Sequence, residues 1–225
     1  MQKTKIDWID YTWNPLIGCK HGCFYCYARK MNQRFRFIKK FTEPKFLVDR
    51  LSLPAKLEHP ATILVCSMGD LFGKWVDKFH VDLILQEAGN ASQHDFYFLT
   101  KNPARYSEFN FPPNSWLGAS VTQKADLGRL DILRQLASNG RRVYVSFEPL
   151  LEDVSELALR GIHWVIIGAM TGCQAAKYKP KIEWVRNIIN EAREYGIPIF
   201  LKKNLIQSIR YPELIQELPS KEALC

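Results

Sequence analysis

The sequence predicts an α/β protein with a mostly parallel sheet, and three observations carry that prediction. Short apolar runs rich in β-branched and aromatic residues alternate with longer stretches of helical period. Nearly every such run ends in a small or polar residue, as the carboxyl ends of parallel strands do where ligands sit. The 225 residues, 47% of them hydrophobic, suffice for one well-cored domain and are few for two, so a single unit over 1–225 is expected. Repeated β-then-α order requires each helix to pack back on the sheet face. That order alone does not separate a barrel from an open doubly wound sheet.

Taken in chain order, a first strand is expected within 12–17, followed by a cysteine-rich loop. Ala28, Met31, Phe35 and Ile38 then recur at helical spacing and predict a helix beginning near Tyr27 with these residues on its core face. Residues 41–60, with Pro44, Pro54 and Pro60, read as a loop plus a short helix. Strands follow at 61–66, 95–100, 115–120, 142–147, 163–168 and 198–202. Between them, apolar stripes fall at Val76, Phe79, Leu83 and Ile84, then at Leu127, Leu130, Leu133 and Leu136, then at Trp184, Val185, Ile188, Ile189 and Ala192. No repeat, low-complexity tract or long linker interrupts the series.

The loop after the first strand reads "GCKHGCFYCYA" and places Cys19, Cys23 and Cys26 within eight residues. No signal-peptide-like or membrane-spanning apolar run is present, so a soluble, cytoplasmic protein is expected. In a reducing compartment clustered thiols serve as metal ligands or catalytic groups more often than as disulfides. Three thiolates fall short of the four donors that closed zinc and iron–sulfur sites use, so either a ligand comes from elsewhere or one metal position stays open. His21 is a fourth donor on paper, but its place between two ligands in a short loop would strain it. Cys66, Cys173 and Cys225 are scattered and read as incidental or buried residues.

Cys-x3-Cys-x2-Cys with Tyr25 before the last cysteine, placed between a first strand and a first helix, resembles the signature of the radical S-adenosylmethionine (SAM) superfamily. More narrowly, "TWNPLIGC", "SMGDLFG", "FLTKNPARY", "WLGASV", "SFEPLL" and "WVIIGAMTG" resemble segments of a phage-associated radical-SAM-like family of unassigned function. The resemblance implies a partial (β/α)6 barrel of parallel strands. It implies that Cys19, Cys23 and Cys26 each ligate one iron of a 4Fe-4S cluster and that SAM chelates the fourth. Reductive cleavage of SAM then gives methionine and a 5′-deoxyadenosyl radical that abstracts hydrogen from a substrate.

The same resemblance places Ser67, Met68, Gly69 and Asp70 where the superfamily has a glycine-rich turn for the methionyl amino group, although here one glycine stands alone and Asp70 also suits a turn cap. Lys101 is the expected partner of the methionyl carboxylate. Pleating puts Trp116, Gly118 and Ser120 on one face, where Gly118 and Ser120 suit close approach of a ribose or carboxylate; Ser146 likewise shares a face with Glu148, whose carboxylate suits ribose hydroxyls or the methionyl ammonium. Lys202 suits an anionic substrate group. An electron donor such as a flavodoxin or ferredoxin is implied. No extra cysteine-rich segment for further clusters is seen, and the short chain suggests an open site suited to a nucleic-acid or protein substrate.

The formal charge is +8, and residues 28–40, "ARKMNQRFRFIKK", carry Arg29, Lys30, Arg34, Arg36, Lys39 and Lys40 without an acid. Such a face attracts nucleic acid, an acidic protein or a reductase, or is simply a solvated helix face. Two other classes compete with the radical enzyme. A zinc-stabilised basic nucleic-acid-binding module explains charge and thiols but needs a fourth donor. A cofactor-free hydrolase would use the strand ends, yet no G-x-S-x-G elbow or P-loop occurs.

Overall fold

The structure, a computed structural model, describes residues 1–154 and 156–220. The chain forms an α/β fold with a mostly parallel sheet, and it divides into two compact units, Met1–Trp116 and the part from Leu117 onward.

In the first unit, β1 (Gln2–Lys3) lies antiparallel to β2 (Tyr11–Trp13). The predicted first strand splits after Trp13, because Pro15 has no N–H for a ladder and Asn14 turns its side-chain oxygen to the backbone of Met68. The chain resumes as β3 (Leu16–Ile17), which pairs antiparallel with β4 (Lys45–Phe46). Strand β2 pairs parallel with β5 (Thr62–Val65), and β5 with β6 (Asp95–Thr100), in the register Trp13, Val65, Phe98. Three-residue helical turns at Val48–Arg50 and Pro54–Lys56 fill the irregular segment. Trp13 is fully buried and its indole N–H donates to the Arg50 carbonyl at 2.7 Å, which ties that segment to the sheet.

Helix α1 (Tyr27–Phe35) begins where expected but buries a different face. Ala28 and Asn32 point inward, while Met31 and Phe35 are exposed. Arg36, at φ 51°, ends the helix, and Ile38 reaches the core through the returning chain rather than along the helix. The Asn32 amide explains the change, since it donates to the Ile38 carbonyl at 3.0 Å and accepts the Ile38 N–H at 2.9 Å. Helix α2 (Lys78–Asn90) is capped by Asp77, whose carboxylate accepts the Phe79 N–H. Its buried stripe is Val81, Ile84, Leu85 and Ala88, and Phe79 of the predicted stripe is exposed.

Strand β7 (Ser115–Ser120) opens in the first unit and runs into the second, which contains α3 (Gly128–Ser138), β8 (Arg142–Phe147), β9 (Val165–Ile167), α4 (Ile182–Glu194), β10 (Ile199–Leu201) and α5 (Lys203–Ile209). Strands β8, β9 and β10 pair parallel with Phe147, Ile167 and Leu201 in register. Helix α4 buries Val185, Ile188, Ile189 and Ala192, as its periodicity predicts. Helix α3 buries Leu130 and Leu133. The last two predicted strands are shorter than read, their outer residues falling in the flanking turns.

Candidate cofactor site

The cysteine loop starts from two glycines that permit one close backbone approach. Gly18 sits at φ 110°, and a Cβ there would stand 2.8 Å from the Pro44 Cα and 2.9 Å from the Phe41 carbonyl oxygen. Its N–H donates to the Met68 carbonyl at 3.0 Å, and it bridges in parallel to Gly69. A Cβ on Gly69 would lie 2.8 Å from the Gly18 oxygen. The N–H of Cys19 donates to Phe41 at 2.8 Å. The root of the loop is therefore clamped between the turn after β5 and the segment following α1.

Within the loop, the Cys19 sulfur accepts the His21 N–H at 3.5 Å. Cys26 is the N-cap of α1, and its sulfur accepts the Arg29 N–H at 3.4 Å. At Cys19 the bond from His21 favours thiolate over thiol. Cys19 and Cys26 also pack against Ile17, Ala28, Ile38, Phe41 and Met68, an apolar floor that shields one side of the loop. Burial pushes the Cys19 thiol up to about 12, with the Asp70 carboxylate, Cys23 and Cys26 adding to the shift and the His21 N–H opposing it.

Asp70 is the polar hub beside the loop. Its Oδ1 accepts Thr100 Oγ1 at 2.7 Å and the Phe72 N–H at 3.1 Å. Its Oδ2 accepts the Lys101 N–H at 3.1 Å and stands 2.7 Å from His21 Nε2. Burial alone would raise this carboxyl, but the bonds from His21, Thr100 and Lys101 and the charge on His21 outweigh it, so it lies below the usual carboxylate range. The His21 ring also meets the edge of Trp75 at 4.8 Å between centroids. His21 is thus held through Nε2 by Asp70 and packed against Trp75.

The turn after β5 has its own commitments. Cys66 takes a left-handed backbone at φ 55°, and burial pushes its thiol up to about 12. The Ser67 hydroxyl and the Met68 N–H both donate to Asn14 Oδ1, at 3.2 and 2.9 Å. The Tyr27 hydroxyl donates to the Ser67 carbonyl at 2.6 Å. The Met68 side chain belongs to the apolar floor. The Lys101 ammonium lies 5.4 Å from the centroid of Tyr25, inside the cysteine loop. The first unit therefore brings Cys19, Cys23, Cys26, Ser67–Asp70 and Lys101 into one neighbourhood.

In the second unit, Ser120 and Ser146 are buried and lie on β7 and β8. The Ser120 carbonyl accepts from the Arg129 guanidinium, and the Ser146 carbonyl accepts the Val121 N–H at 3.0 Å. Glu148 Oε1 and Lys202 Nζ form an ion pair. Gly168 makes room for it, since a Cβ there would come within 2.9 Å of the Glu148 side chain. Cys173 is exposed, and Cys225 lies outside the described residues. Thr100 is one of the strand-end polar groups that the sequence reads as outlining a site, whereas sequence reasoning missed Asn14, Trp75 and the role of His21; His21 and Asp70 are 49 positions apart and nothing local links them.

The donor set fits a 4Fe-4S cluster in its chemistry: three soft thiols from one loop, two of them already accepting backbone N–H groups, above an apolar floor. Among the described residues no three His, Cys, Asp or Glu side chains gather about a point to hold a single metal ion.

The chain is a mostly parallel α/β fold with a three-cysteine loop leading into its first long helix. The same fold occurs in solved structures of spore photoproduct lyase. A tyrosine-to-phenylalanine variant of that enzyme matches with a TM-score of 0.64 at 12% identity, over 89% of this chain and 78% of its own. A double variant with bound AdoMet and dinucleoside spore photoproduct matches with a TM-score of 0.56 at 12% identity, over 87% of this chain. The chain spans 64% of the length of that second structure. By sequence, the chain belongs to the family described as "Protein of unknown function (DUF5131)", whose model matches residues 3–207. No curated protein matches it. Among the described residues no helix is long and apolar enough to cross a membrane.

Proposed function

We propose that this chain is a radical SAM enzyme of the cytoplasm, reduced by an electron donor such as a flavodoxin or ferredoxin. The observation that supports it best is the clamped three-cysteine loop at the start of α1, in a fold shared with an enzyme solved with AdoMet. Cys19, Cys23 and Cys26 would hold a 4Fe-4S cluster, leaving one iron for SAM. When bound, the pair supplies reductive cleavage of SAM to a 5′-deoxyadenosyl radical that abstracts hydrogen from substrate.

The chain's own residues divide the remaining tasks. The apolar floor beneath Cys19 and Cys26 limits water at the sulfurs, and the His21 and Arg29 N–H groups offset thiolate charge. Asp70 fixes the loop through His21. Lys101 and the turn Ser67–Asp70 are the first unit's proposed contacts for SAM; Ser120, Ser146 and Glu148 are those of the second. Glu148 presents an ion pair with Lys202 that can exchange partners when a charged group binds.

The test is anaerobic purification and reconstitution, with iron, sulfide and zinc measured for the native chain and for Cys23→Ala. About four irons per native chain, lost in the variant, with 5′-deoxyadenosine released on adding dithionite and SAM, is the expected result. Stoichiometric zinc and no SAM cleavage would replace this reading with a zinc-stabilised nucleic-acid-binding module.

A further inference from the structure

Two residues of α1 that the sequence assigns to the core, Met31 and Phe35, are turned to solvent instead, in a row with other exposed rings. Phe24 is 48% exposed, Tyr27 47%, Met31 38%, Phe35 54% and Phe37 44%. Tyr27, Met31 and Phe35 stand at i, i+4 and i+8, one above another at steps of about 6 Å. Ala28 and Asn32, one position further round, take the buried face, so the stripe is not a slightly opened core. On its other side Lys30 and Arg34 form a parallel cationic column, both exposed.

Rings and cations alternate rather than segregate. The Arg34 guanidinium lies 5.1 Å from the Phe35 ring centroid, and the Phe35 and Phe37 rings are 5.7 Å apart. At the other end, Phe24 meets Tyr25 at 5.1 Å and Lys101 lies over Tyr25. The stripe therefore begins between Cys23 and Cys26 and runs outward along the helix. From Tyr11 to Thr42 the sequence has seven Lys or Arg and no acid.

Any polyanion is attracted by that charge, but the rings select further. Flat aromatic groups spaced along a cationic track give each unstacked base a π-face to lie on, while the cations follow the phosphates. A duplex offers its bases already stacked, and an acidic protein surface offers carboxylates without matching faces. Exposed apolar groups in a contiguous row mark an interaction surface. We infer that this face of α1, with the Phe24–Tyr25 end of the cysteine loop, binds single-stranded nucleic acid. That the bound strand is also the substrate of the adjoining site rests on the radical SAM reading; the binding does not.

The test is fluorescence anisotropy of a labelled oligothymidylate against the native chain over a range of salt, with a duplex of equal length and polyglutamate as competitors. The native chain is expected to prefer the single strand to both. Phe35→Ala, at an exposed position, weakens it by about tenfold. Lys30→Ala with Arg34→Ala lowers the slope of log affinity against log salt by about 1.4, at roughly 0.7 for each phosphate that is no longer neutralised. Circular dichroism melts confirm that each variant is folded. Absence of strand binding, equal competition by polyglutamate or duplex, insensitivity to Phe35→Ala, or saturable docking of an acidic flavodoxin on this face in place of the strand would overturn the inference. Release of 5′-deoxyadenosine from the native chain without oligonucleotide reads the cofactor chemistry separately, so the two readings fail independently.

Discussion

Replacing Asp70 by Asn keeps the shape of the hub and removes its charge. The carboxylate accepts four bonds: Thr100 Oγ1 and the Phe72 N–H on one oxygen, the Lys101 N–H and His21 on the other. An amide oriented to keep Thr100 and Phe72 points its NH2 at the Lys101 N–H, donor against donor. One donor is left without an acceptor, at about 1–3 kcal/mol, and charge-assisted bonds become neutral ones. A total loss of about 3 kcal/mol follows at pH 7. The effect depends on pH in a definite direction. The folded carboxyl titrates below its ordinary value of 3.8, so its contribution is full above that pH and is lost as pH falls through the lower folded value. Urea unfolding of the native chain and Asp70→Asn, followed by circular dichroism at pH 7 and again at pH 3, measures both effects. A difference under about 1 kcal/mol at neutral pH, or one that persists unchanged at pH 3, would refute the assignment of Asp70 as a charged hub.

Gly69→Ala drives a Cβ against the Gly18 carbonyl oxygen; it is expected to cost about 1–3 kcal/mol and to lower the iron retained after anaerobic reconstitution, measured by iron assay. Glu148→Gln strips Lys202 of its partner in a pair whose side chains are only partly exposed, which costs about 1–2 kcal/mol in urea unfolding, between the surface and buried cases. Glu217 accepts two bonds from Arg193 and one from the Ile199 N–H, and the Arg193 bond holds its carboxyl below 4.5. Its contribution is therefore present above pH 4.5 and lost as pH falls. Because the pair is exposed and screened, Glu217→Gln should cost no more than about 1 kcal/mol, less in high salt, by thermal melts.

What the sequence shows and what it hides separate by distance along the chain. Strands 95–100, 115–120 and 142–147 have the bounds read from their runs of β-branched and aromatic residues, and α1 starts at Tyr27 because Cys26 caps it locally. The loop's three thiols are legible for the same reason. By contrast, the His21–Asp70 bond and the Glu148–Lys202 pair join positions 49 and 54 apart, and no spacing rule reaches that far. Gly69 reads as a fragment of a glycine motif, and only the approach of Gly18 shows why a side chain is excluded there. Helix α1 is the sharper case. Periodicity identifies an apolar stripe but not whether that stripe is covered, and the decision falls to Asn32, whose amide is held by both polar groups of the Ile38 backbone. Burying an Asn while exposing Met31 and Phe35 costs transfer free energy, which the two Asn32 bonds offset only at the buried end. Among the described helices, the one whose local pattern and tertiary placement disagree most is also the helix that carries the cysteine loop at its start, which is why its outward face, rather than the better-packed α2 or α4, is where a binding partner should be sought.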